Sequence, residues 1–68
     1  MLKLTPAQVR ALEWLRDNGP SVTVPIAFRT WYALQDRGLV FAYPRFGGAE
    51  RQITDLGRTA LAEREAAK

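Results

Sequence analysis

Apolar residues recur at helical spacing in three stretches of the chain, and a run of strand formers, a glycine turn and a short return lie between the second and third, which predicts an α+β domain. Val9, Ala11, Leu12 and Leu15 share one helical face, while Arg10, Glu13, Arg16 and Asp17 fall outside it. Thr5-Pro6-Ala7-Gln8 marks where that helix starts: Thr5 caps, Pro6 sits where a missing N–H costs nothing, and Gln8 reaches back to complete a capping box. Asn18-Gly19-Pro20 stops it, so the first helix is expected over about 6–18. Ser21 to Val24 is β-branched and reads as a short extended piece.

Pro25 presets a second helix, expected over about 26–37, with Ala27, Thr30, Trp31 and Leu34 inward and Arg29, Tyr32, Ala33 and Asp36 outward. Gly38 ends it after Arg37. Leu39 to Pro44 is rich in strand formers, Phe46-Gly47-Gly48-Ala49 supplies a turn, and Glu50 to Thr54 returns with Ile53 as its apolar anchor, giving a β-hairpin over about 39–54. Thr54 or Asp55 caps a third helix over about 55–65, in which Leu56, Ala60 and Leu61 are expected inward and Gly57 is expected to let a neighbouring helix approach. No repeat, linker or low-complexity tract interrupts the order, so residues 1–68 read as a single domain.

Size changes what must hold this domain together. A chain of 68 residues buries only about 60% of the surface that its unfolded form exposes. Without cysteine or histidine it has neither a disulfide nor the usual zinc ligands, so apolar packing has to suffice, helped or not by a second copy. The same absences, with no phosphate-cradling glycine loop, leave no candidate catalytic or metal-binding residues, and neither an enzyme nor a cofactor is expected. No apolar run approaches the roughly 20 residues of a membrane span, and Met1-Leu2-Lys3-Leu4 leads into a patterned helix; a cytoplasmic protein with no membrane partner is expected.

Three segments together resemble the winged helix-turn-helix regulators of the MarR-like and PadR-like class. Leu4-Thr5-Pro6-Ala7-Gln8 with Gly19-Pro20 is similar to their opening helix and its exit. Residues Thr30 to Val40 resemble the end of a recognition helix entering the wing, and Ile53 to Leu61 the segment leaving the wing for a closing helix. The resemblance implies a small winged-helix-like fold of three helices with a two-stranded hairpin wing, and a DNA-binding, transcription-regulating role. The short length is similar to that of small regulators of phages and other mobile elements. One feature departs from the pattern: Ser21 to Arg37 spans only 17 residues, room for one helix, so the first helix of the helix-turn-helix is missing. That helix ordinarily crosses the DNA backbone, and its loss keeps open an alternative, a protein-interaction module on the same scaffold.

On the DNA reading, the resemblance places Arg29 and Tyr32 toward bases or phosphates, Gln35 on the flank where it suits adenine, and Arg37 at the helix end. Arg45 and Arg51 fall in the wing, with Glu50 available to neutralise one of them across the strands. Net charge is +3 and the pI about 10.0, with eight of ten cations arginine, which suits double-stranded DNA. Those arginines are interleaved with acids, as on an ordinary solvated surface. Trp14, Phe28, Phe41, Tyr43 and Phe46 together exceed what one small core readily hides. Trp14, Phe41, Tyr43 and Phe46 are therefore candidates for an interface with a protein partner or with a second copy as a homodimer.

Overall fold

A computed structural model describes residues 3–45 and 47–66, in the order α1 (Pro6–Asn18), α2 (Phe28–Asp36), β1 (Val40–Arg45), β2 (Gly48–Ile53) and α3 (Asp55–Ala66). This is a small α+β, winged-helix-like domain. The capping box forms as its residues dictate: the Gln8 N–H donates to Thr5 Oγ1 at 3.2 Å and the Thr5 N–H to Gln8 Oε1 at 3.1 Å. The pairing also explains how Gln8 can be buried without an orphaned polar atom. Val9, Ala11, Leu12 and Leu15 are buried along the predicted face.

Beyond Gly19, Ser21 lies antiparallel to Arg51, with Ser21 N–H donating to Arg51 O at 3.1 Å and Arg51 N–H to Ser21 O at 2.8 Å. The extended piece therefore contributes one bridge at the edge of the hairpin. The second helix begins at Phe28, two residues later than expected. Pro25 fixes its own φ but no side chain caps the backbone after it, and Ala27 is still extended when Trp31 N–H reaches its carbonyl at 2.9 Å. Ala27 is accordingly exposed and Thr30 only half-buried, leaving Trp31 and Leu34 as the residues that α2 buries.

The end of α2 is a two-bond Schellman closure. Leu39 N–H donates to Leu34 O and Gly38 N–H to Gln35 O, both at 3.0 Å, with Gly38 at φ 74°. Leu34 and Leu39, which this geometry brings together, are both fully buried. β1 and β2 then pair antiparallel from Val40↔Ile53 to Arg45↔Gly48, so the turn between them is tighter than the four residues expected. Phe46 lies outside the described residues. Alternation turns Val40, Ala42, Arg51 and Ile53 toward the helices and leaves Phe41, Tyr43, Glu50 and Gln52 on the opposite face.

Thr54 joins the hairpin to the last helix. Its hydroxyl donates to Gly38 O at 2.7 Å and accepts from Gly57 N–H at 3.0 Å, capping α3 and tying it to the end of α2. In α3, Gly57, Ala60 and Leu61 are buried. Leu56, expected inward, is instead 50% exposed, because the inward direction runs through Gly57 and Leu61 and puts Leu56 on the flank. The neighbour that comes close to Gly57 is also not a helix but the hairpin base, the Leu39 carbonyl and the Ile53 side chain. The core is one cluster around Leu12, Leu15, Leu34, Leu39, Val40 and Leu61, with Trp31 at its edge and Leu4, Trp14, Val24, Ile26 and Ala42 partly buried against it. Among the described residues no helix is long and apolar enough to cross a membrane.

Candidate nucleic-acid interface

Burying Trp31 and Leu34 fixes the rotation of α2 and thereby decides what its other side presents. At 100° per residue the direction opposite the core carries Arg29, Tyr32 and Asp36, with Phe28 and Gln35 on one flank. Phe28 is 74% exposed and Tyr32 57%. One turn apart, their rings stack with centroids 6.3 Å apart at 25°. Arg29 stands between them in sequence and makes no ion pair or side-chain hydrogen bond among the described residues, unlike Arg16, Arg37, Arg45, Arg51 and Arg58.

The start of α2 is electrically open. Ala27 supplies no side-chain cap and the first turn holds no acid, so the free N–H groups and the positive end of the helix dipole face outward with Arg29. Beside this helix end runs an open groove of about 290 Å³, between the 22–26 segment and the Phe28–Tyr32 pair, with Trp31 and Arg51 against it. Val22, half exposed, adds to the apolar surface there.

Of the six residues expected to contact DNA, Arg29 and Tyr32 lie on the outward side of α2 and Gln35 is exposed on its flank. The other three are engaged within the chain. Arg37 donates to the Lys3 carbonyl at 2.9 Å, and Arg45 pairs with Glu50 at 3.3 Å while lying 5.2 Å over the Tyr43 ring. Arg51 turns inward from β2, donating to Val22 O at 2.7 Å with its guanidinium 5.6 Å from the Trp31 ring centroid. It closes the edge of the core where a wing contact was expected. Elsewhere Arg16 meets Asp17 and Glu65, each at 3.1 Å, and these bonds, Asp17 first, raise its pKa above the ordinary arginine value. Arg58 lies 3.8 Å from Asp55.

Among the interface candidates, Trp14 is half-buried against the core and lines a depression between α1 and the approach to α2, so most of its surface is already used. Phe41 and Tyr43 stand on the open face of the hairpin. Phe28 is a functional candidate that the sequence pattern leaves among the surplus aromatics; its i,i+4 spacing from the outward Tyr32 is the available signal. Among the described residues no three His, Cys, Asp or Glu side chains gather into a metal-binding group.

Alanine at position 51 separates the two roles open to Arg51. Losing the bond to Val22 O and the contact with Trp31 is expected to cost about 1–2 kcal/mol of stability in a urea titration. An unchanged midpoint would mean that these contacts hold nothing. The fold and its exposed helix thus define a small winged-helix-like domain that offers one aromatic helix face on which Arg29 and Asp36 are the charged residues. No protein-family model matches the chain, and no curated protein or solved structure matches it either.

Proposed function

We propose that this protein binds double-stranded DNA as a transcription-regulator-like domain, laying α2 against the major groove with the hairpin beside the backbone. The observation that carries the reading is the open first turn of α2: Arg29 without an ion pair among the described residues, the helix N-terminus without a side-chain cap or an acid in its first turn, and Tyr32 and Gln35 on the surface continuing from it. A helix so exposed meets phosphate with fixed dipoles and one mobile cation, and its N-terminal residues are the ones that reach base edges in this mode of docking. The resemblance of residues 30–40 to a recognition helix entering a wing points the same way. A cytoplasmic location goes with this role, which asks for no cofactor and no catalytic residue.

The occupied arginines limit the strength of such binding. With Arg37, Arg45 and Arg51 engaged, Arg29 is the cation that α2 and the hairpin leave for phosphates among the described residues, and Asp36 opposes it on the same helix face. A second reading follows from that and from the open Phe41–Tyr43 face: a protein-interaction module, or a homodimer, that keeps the scaffold without contacting DNA. Salt dependence separates the two. Log affinity for duplex DNA is expected to fall with log salt at about −0.9 per phosphate neutralised, Arg29→Ala to flatten that slope by about one phosphate, and Asp36→Asn to tighten binding. No binding to duplex at about 50 mM salt would overturn the DNA reading in favour of the protein partner.

A further inference from the structure

We infer that the base feature α2 recognises is the C5-methyl group of thymine, covered by the Phe28 ring. The inference rests on the reading of α2 as the helix that faces DNA, and it follows from how apolar that helix face is. Almost everything a duplex shows in its major groove is a hydrogen-bond donor, an acceptor or a phosphate; the thymine methyl is the apolar exception. The leading edge of α2 nevertheless carries a phenylalanine that is 74% exposed, with Tyr32 stacked behind it at 6.3 Å and Val22 beside the groove. A ring in that position gains little from guanine or cytosine edges and gains apolar burial against a methyl group.

Position within the helix makes the match specific. Phe28 is the first residue of α2, at the end that enters the groove in this docking mode. Its stacking on Tyr32, one turn along the same helix, biases the ring toward one placement over a free swing in solvent. The charge around it suits a polyanion: Arg29 is the next residue, and neither an acid nor a cap occupies the first turn. Phenylalanine and arginine side by side would give two adjacent kinds of contact, a methyl on one base pair and a guanine edge or phosphate next to it.

The test works without a known target site. Duplexes with a random centre are enriched on the full chain, and the winning duplex is made twice, once with thymine and once with uracil, which differs only in lacking the methyl. The uracil duplex is expected to bind about fourfold more weakly for each methyl covered. Phe28→Ala, whose ring lies outside the core, is expected to keep the thermal midpoint and the salt slope and to bind both duplexes alike. Equal binding of the two duplexes by the unaltered chain, with a salt slope that still depends on Arg29, would sink the methyl inference and leave DNA binding standing. A thymine preference that survives Phe28→Ala would overturn the assignment to this ring. Failure to enrich any duplex, with no salt-dependent binding, would remove both.

Discussion

Leu34→Ala is expected to lower the unfolding free energy by about 2–5 kcal/mol, a large share of all that holds the domain folded. A chain of this length commands only about 3–10 kcal/mol in all. Leu34 is fully buried in the cluster with Leu12, Leu15 and Leu39, and no disulfide offsets a loss there. It is also the residue whose carbonyl receives the Leu39 N–H in the closure of α2, so the cavity opens beside the link between the helix and the hairpin. Urea titration followed by circular dichroism reads the effect directly. A loss under about 1 kcal/mol would mean that α2 is not anchored through this side, and the outward placement of Phe28, Arg29 and Tyr32 would fall with it. DNA binding should fail in this variant together with folding, unlike in Arg29→Ala, where the helix face changes and the core does not.

How much of the fold is legible in the sequence depends on how local the deciding interaction is. The capping box at Thr5 and Gln8 and the stop at Gly38 are settled within a few residues, and the pattern places α1 and the end of α2 correctly. The hairpin is legible because the strand formers from Leu39 to Pro44, two adjacent glycines and the apolar Ile53 on the return leave few other options. What escapes are outcomes decided by distant partners. Nothing near Leu56 says that the hairpin base will take the Gly57 side of α3, and nothing near Arg37 announces the Lys3 carbonyl. Arg51 is the instructive case: a period of two places it on the same hairpin face as the buried Ile53, so its inward course follows from the strand pattern. The resemblance to a wing draws it outward instead. At the candidate site the rotation of α2 is readable from Trp31 and Leu34, and Tyr32 and Arg29 lie on the exposed side as expected. The stacked Phe28 is not readable in the same way, because a second helix expected to begin two residues earlier hides that Phe28 is its first residue.

Gly57→Ala carries the second large effect, and its sign is opposite to what helix preference alone would give. Alanine is favoured over glycine inside a helix by about 1 kcal/mol, so on an open surface this change would stabilise α3. Here an added Cβ would press into the Leu39 carbonyl oxygen and stand 2.7 Å from Ile53 Cγ1. Ile53 has another rotamer to try, but the carbonyl is backbone and already accepts the Thr54 N–H at 3.0 Å. Relief therefore requires α3 to move off the hairpin, which strains the Thr54 hydroxyl bridge between Gly38 and Gly57. A net loss of roughly 2–3 kcal/mol is expected by thermal or urea unfolding, at the upper end of what overpacking a core costs. A rise in stability would show that the helix and the hairpin base are not in contact. Because β1 and α2 share the Leu34–Leu39 closure, a variant that stays folded should also tilt the hairpin relative to α2, and on the DNA reading it would weaken binding without changing any residue that faces the duplex.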